Sequence, residues 1–370
     1  MKKYLLALTL IMALIISGCS SNSADTSDNN SEKVIKIRAA GAMPPKQGYM
    51  VGYHVPWMER VKQESGGRVD FDVYPSAELV PMGGELTALE SKQIDMALSG
   101  MRTYHPDLFP MADIASLPVL KTDALTTTKA YLKLFDSDVK LQGDKTYYDL
   151  NIADHGYVAL PMPALDNYII STYKKEIKNP EDFKGLILRG STRSHEIFAG
   201  KLGATPVTMV STEIYDAMTR GTIDGIIFSI ADWQGYGFQD VAKYNIRGLT
   251  LGTFTGENIF LKETWESFPE DIREIMYTAA REQAIEGAKY WMSLVDPTIE
   301  LAKGMGSTFV DFTELPIETQ NLINKAIVET WYGWIDKVTA EGMPGLEAAR
   351  LWRDCMVEAG AVVPEELMSL

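Results

Sequence analysis

Cysteine is almost missing from this chain. There are two in 370 residues, Cys19 and Cys355, and with Cys19 in the amino-terminal leader described below, no intrachain disulfide is available. Stability has to come from packed cores. The four histidines, His54, His105, His155 and His195, stand apart, with no two at metal-ligand spacing. The sequence has no Gly-x-Ser-x-Gly elbow, no phosphate loop and no Gly-x-Gly-x-x-Gly; Gly235-Tyr236-Gly237 follows no predicted strand. Carboxylates are plentiful, but no pair stands out as an acid and a base. The inventory argues against an enzyme and asks for neither cofactor nor metal. Positive charge is also short: 35 Lys and Arg face 50 Asp and Glu, a formal charge of −15. Such a balance argues against nucleic acid or an anionic membrane face as partner.

One long apolar run is present, and it opens the chain. Lys2 and Lys3 precede Tyr4 to Ile16, then Ser17-Gly18-Cys19. A charged start, a short hydrophobic segment and a small-residue site make a secretory signal over residues 1–18, too short for a membrane span. Ile-Ser-Gly-Cys also resembles a bacterial lipobox, in which cleavage precedes the cysteine and Cys19 receives a lipid; a plain signal peptide with a chance cysteine is the alternative. A lipid chain holds a soluble domain extracytoplasmically at a membrane surface. Residues 19–32, polar and aperiodic, read as a flexible tether. Cleavage removes Lys2 and Lys3 and takes the formal charge from −15 to −17.

Roughly 340 residues remain, more than one hydrophobic core usually takes, which predicts two lobes. Val34 to Ala40 and Val69 to Tyr74 alternate as strands around a helix from about Gly48 to Ser65. A short helix over Gly83 to Ser91 and a strand over Asp95 to Leu98 complete a βαβαβ first lobe. Helices are expected near Thr122 to Phe135 and Val139 to Leu150, and Tyr157 to Leu160 and Tyr168 to Tyr173 should carry the chain into the second lobe. There, Gly185 to Leu188 is a short apolar run ending on Arg189, at the strand edge where open α/β sheets bind ligands. A helix from about Arg193 to Leu202 closes on Gly203, a strand follows over Thr205 to Val210, and Ser211 should cap a helix to Arg220. Asp224 to Phe228 returns as a strand, and Thr250 to Leu261 should cross back. Ser267 and Glu270 have capping-box spacing before a helical run to Gly304, roughly 50 Å long at about 1.5 Å per residue, that would brace both lobes and kink at Pro297. A strand over Ser307 to Asp311 and helices near Glu318 to Glu341 and Gly345 to Ala359 finish the chain. The expected division is residues 33–155 with 253–290 as lobe I, 156–252 with 291–325 as lobe II, and 326–370 as helices packing on the lobes.

In order, GLxxR (185–189), LGAxPxxM (202–209) and ExYxAMxxGxxDG (213–225) resemble the solute-binding subunits of TRAP transporters, the tripartite ATP-independent periplasmic transporters. ESGGRVDFDVYPSAEL and ALESKQIDMALSG extend the likeness into the first lobe. The resemblance implies an α/β, two-lobed periplasmic-binding-protein fold of type II-like form, with a long helix bridging the lobes. It implies that Arg189 grips a substrate carboxylate, and that the partners are small and large TRAP membrane subunits driven by an ion gradient, usually sodium. Some relatives carry a further arginine about twenty residues upstream, where this chain has Asn167 and Tyr168, and polar residues after the Asp-Gly, where it has Ile226, Ile227 and Phe228. Both departures favour a less polar ligand with one carboxylate.

Arginine suits this task because its planar fork makes two parallel bonds to a carboxylate and keeps its charge near neutral pH. The ordinary alternative is an arginine paired with a nearby acid. Tyr53, Trp57, Tyr104, Phe228, Trp233 and Tyr236 could wall an apolar ligand body or simply pack, and Arg102 could add a second cation from the first lobe. The expectation is an extracytoplasmic receptor that traps a small organic acid; a binding lipoprotein of an ABC transporter or a sensor would share its lobes.

Overall fold

The computed structural model describes residues 34–100 and 102–370. The signal segment, Cys19 and the tether lie outside them. Among the described residues eleven strands form two sheets: β1 Ile35–Ala40, β2 Val69–Tyr74, β3 Met96–Gly100, β4 Tyr157–Pro161, β5 Tyr168–Thr172, β6 Ile187–Gly190, β7 Thr205–Thr208, β8 Gly225–Ser229, β9 Tyr244–Arg247, β10 Glu257–Leu261 and β11 Thr308–Asp311. The first sheet has the order β2-β1-β3-β10-β4, and the second β11-β9-β5-β8-β6-β7. Within the first, β1 runs parallel to β2 and β3, whereas β10 is antiparallel to β3 and β4. Within the second, β6 is parallel to β7 and β8, and β5 antiparallel to β8 and β9. Each sheet anchors one lobe of an α/β fold.

The connections that pass between the sheets position the cleft. The chain leaves the first sheet after β4, returns in β10 and goes back to the second sheet in β11. Tyr157–Pro161, expected at the start of the second lobe, belongs to the first sheet, because its whole length pairs with β10. The crossing therefore falls between Pro161 and Tyr168.

A 35-residue helix, Glu270–Gly304, runs on through Pro297 and touches both lobes. Near its start the Trp57 indole donates to the Met276 carbonyl at 3.1 Å; near its end Gln234 donates to the Thr298 hydroxyl at 2.8 Å. The expected capping box at its start does not form. The Ser267 hydroxyl instead donates to the Thr264 carbonyl and closes the preceding turn, Lys262–Glu266, so the long helix starts after Pro269 with no side-chain cap.

Other elements depart from expectation for local reasons. The first helix begins as a π-helical turn, Met50–His54, before its α-helical part Val55–Glu64. It presses on the long helix there: a Cβ at Gly48 would lie 2.0 Å from the Trp291 ring, and one at Gly52 would lie 2.3 Å from the Tyr290 ring. Between Val139 and Leu150 only the end is helical, in Tyr147–Asn151, which Thr146 and Asp149 cap reciprocally. Ser211 opens a 3₁₀ turn without capping it, and the α-helix Ile214–Arg220 follows, ended by Gly221 at φ +74°. The last two helices, Ile317–Ala340 and Gly345–Ala359, return to the first third of the chain: Trp331 donates to the Pro118 carbonyl and Trp334 to Asp113.

Candidate functional site

Strand β6 carries the key side chain. It sits between β7 and β8, with Arg189 opposite Val207 and Ile226. Residues alternate across a strand, so Leu188 goes to the hydrophobic core while Arg189 takes the other face. Arg189 is fully buried. Its Nε and Nη2 both donate to the Met209 carbonyl, at 3.0 and 2.7 Å, and its guanidinium lies 5.5 Å from the centre of the Phe228 ring. Among the described residues Nη1 has no hydrogen-bond partner, and no carboxylate pairs with the side chain. Burial lowers its pKa; Tyr104, Tyr168 and Tyr236 work in the opposite direction. A guanidinium remains a cation despite such a shift.

Those three tyrosines line one narrow cleft, about 30 Å³ in its free interior and roughly 380 Å³ once its opening to solvent is counted. The first lobe contributes Met43, Tyr49, Met82 and Tyr104; the second contributes Tyr168, Ser191, Phe228, Asp232 and Tyr236; Leu165 and Phe254 come from the crossing segments. Tyr168 is stacked on His195, with ring centres 5.1 Å apart, and tilted against Phe228. Burial pushes His195 down to about 3, so the imidazole is neutral and serves as a rigid backing for the tyrosine. The cleft is thus an aromatic and thioether slot beside one buried cation.

Asp232 is the acidic member of the lining. It is buried, and its Oδ1 accepts from the Gln47 amide at 3.0 Å across the lobes. Gln47 is fixed in turn, because its Oε1 accepts the Tyr49 backbone N–H at 2.7 Å. Burial pushes the Asp232 carboxyl well above the usual carboxylate range, with the Gln47 bond opposing.

Of the residues singled out in the sequence, the cleft brings together Tyr168 and Phe228, with Arg189 directly behind them; Tyr104 and Tyr236 join them. Five others are placed elsewhere. Arg102 is buried in a two-pronged pair with Glu257, at 3.0 and 2.6 Å, and Tyr131 also donates to that carboxylate. Burial opposes its charge, but Glu257 outweighs this and raises the pKa, so Arg102 has no fork left for a ligand. Tyr53 donates to the Pro161 carbonyl at 2.9 Å inside the first lobe. Trp57 packs on Phe71 and the long helix, and Trp233 lies stacked on Phe309 in the second lobe's core. The Asn167 amide donates to the Thr122 carbonyl at 2.7 Å, on a separate surface recess. Sequence reasoning missed Met43, Met82, Asp232 and Phe254. Asp232 carried a readable signal: an acid three residues beyond the mostly apolar strand Gly225–Ser229, at the edge where such sheets take ligands.

Two lobes meet around a small aromatic cleft backed by a buried arginine. The chain belongs to the family described as bacterial extracellular solute-binding protein, family 7, which matches residues 41–332. This agrees with the likeness read from the motifs. A solute-binding protein of Albidiferax ferrireducens is 26% identical over 234 residues, 62% of this chain and 66% of that one. A TRAP solute-binding protein from Rhodoferax ferrireducens, solved with copurified benzoate, superposes with a TM-score of 0.76 at 21% identity, covering 88% of this chain and 98% of that one. A marine-metagenome TRAP solute-binding protein specific for aromatic acids, solved with 3-hydroxybenzoate, gives 0.78 at 21% identity, covering 89% and 99%. These likenesses carry the two-lobed fold over to this chain.

Proposed function

We propose that this protein captures a relatively apolar monocarboxylate between its lobes, that Arg189 grips the carboxylate, and that the loaded form is presented to the small and large membrane subunits of a TRAP-type transporter. Cys19 would carry a lipid that keeps the receptor at the outer face of its membrane. The observation that carries the reading is the state of Arg189. A fully buried guanidinium with an unpartnered Nη1 and no acid beside it is a costly arrangement unless an anion completes it. The surrounding walls, Phe228, Tyr168, Tyr236, Met43, Met82 and Phe254, match an apolar body better than a polyol. The benzoate and 3-hydroxybenzoate held by the structural neighbours are acids of this kind.

Thermal-shift screening of organic acids tests this, since a tight ligand raises the melting temperature by linkage. Monocarboxylates should give the large shifts, and Arg189→Ala should abolish them. Neutral sugars stabilising parent and variant equally would overturn the proposal.

A further inference from the structure

The cleft has a second polar feature that a plain apolar acid leaves unanswered. Asp232 is buried to 4% exposure and lines the cleft opposite first-lobe residues. One of its oxygens is settled: Oδ1 accepts from Gln47, and the space beside that bond is closed, since a Cβ on Gly235 would lie 3.2 Å from Oδ1 and 3.5 Å from the Gln47 side chain. Gln47 cannot turn to serve the other oxygen, because its own Oε1 is held by the Tyr49 N–H. Oδ2 therefore has no protein partner among the described residues. The three tyrosines of the cleft do not supply one either; Tyr49, also in the wall, directs its hydroxyl to the Pro163 carbonyl at 3.1 Å.

A ligand that fills the cleft strips water from this unpaired carboxyl oxygen, which is expensive unless a ligand group replaces the lost bond. The group has to suit both protonation states. As a carboxylic acid, Oδ2 carries a proton and needs an acceptor; as a carboxylate, it needs a donor. A hydroxyl serves either state. An ammonium serves only the ionised one, and would add a second cation beside a cleft already backed by Arg189.

Resting on the carboxylate reading above, we propose that the ligand is a hydroxy acid, its carboxylate on Arg189 and its hydroxyl on Asp232, with Gln47 as the positioning residue that holds the carboxyl in place. A cleft built to hydrogen-bond a hydroxyl discriminates strongly against the analogue without one, because the polar group is then left buried and unpaired.

The test is isothermal calorimetry on the mature protein with matched pairs: benzoate with 3- and 4-hydroxybenzoate, phenylacetate with its ring-hydroxylated forms, and hexanoate with 6-hydroxyhexanoate. In the tightest-binding pair the hydroxylated acid should bind at least tenfold better. In Asp232→Ala that preference should fall below about twofold while the unsubstituted acid still binds. Asp232→Asn, which keeps the size and one acceptor, should retain part of the preference and serves as the folding control. Equal binding of both members on the parent protein overturns the hydroxyl assignment and leaves the Arg189 reading standing, as does a preference that survives Asp232→Ala. Tighter binding of 3-(aminomethyl)benzoate than of 3-hydroxybenzoate also overturns it, by making Asp232 a counterion. Failure of every acid to bind overturns the carboxylate reading and this one together.

Discussion

Arg189 lies across the face of Phe228, 5.5 Å from the ring centre, while Nε and Nη2 share the Met209 carbonyl. The carbonyl fixes one edge of the fork and the ring fixes its plane, and Nη1 is left without a partner among the described residues; on the proposed reading it meets the anion. A lysine cannot reproduce this, since a single ammonium cannot hold Met209 and meet a carboxylate with the same geometry. Arg189→Lys should therefore lose at least tenfold in acid affinity despite keeping its charge. Arg189→Ala should lose more, on the order of 3–5 kcal/mol for a buried anion left unpaired. Calorimetric titration of both variants checks the order; a lysine variant that binds as well as the parent would show that charge alone suffices.

Arg102 and Glu257 form the complementary case, a buried pair with both members satisfied. Arg102→Met should leave Glu257 buried beside Tyr131 without its cation and destabilise the fold by about 3–5 kcal/mol. Acid affinity of the folded fraction should stay within about threefold of the parent, an allowance well under the tenfold that 1.4 kcal/mol represents. Urea unfolding combined with calorimetry below the transition separates the two effects, and a large affinity loss would restore Arg102 as a ligand contact.

Glu85 is buried, and burial pushes its pKa up to about 7, with backbone hydrogen bonds from Glu85 and Gly83 opposing. Between about 4.5, the ordinary value, and about 7, the unfolded chain has lost this proton while the folded one keeps it. Stability therefore falls as pH rises through that window and levels off above it. Glu85→Gln removes the ionisation, so the stability of the variant relative to the parent should climb by about 2–3 kcal/mol from pH 5 to pH 8. Denaturant melts across that range check the slope; a flat difference would mean Glu85 is solvated.

Much of this was legible beforehand. The strand that ends near Arg189 was readable because the short apolar run Gly185 to Leu188, between a turn and a helix signal, has few other solutions; the strand itself lies two residues further on, at Ile187–Gly190. The long helix was readable because apolar positions from Ile272 to Val295 hold helical spacing. What failed depends on partners far away in sequence. Trp57 and Trp233 look like cleft aromatics until the long helix and Phe309 are placed against them. Arg102 looks free until Glu257, 155 residues on, arrives beside it. Strand β9, Tyr244–Arg247, was missed because four residues of mixed polarity become a strand only through pairing with β5 and β11.

The indole bonds from Trp331 to Pro118 and from Trp334 to Asp113 have an outcome in time as well as in space. Asp113 also accepts from the Ser194 backbone and hydroxyl, so it joins both halves of the molecule to a helix made almost last. A nascent polypeptide halted before residue 317 lacks that knot. Truncation before that point should therefore loosen the join between the halves while leaving every cleft-lining residue in the chain.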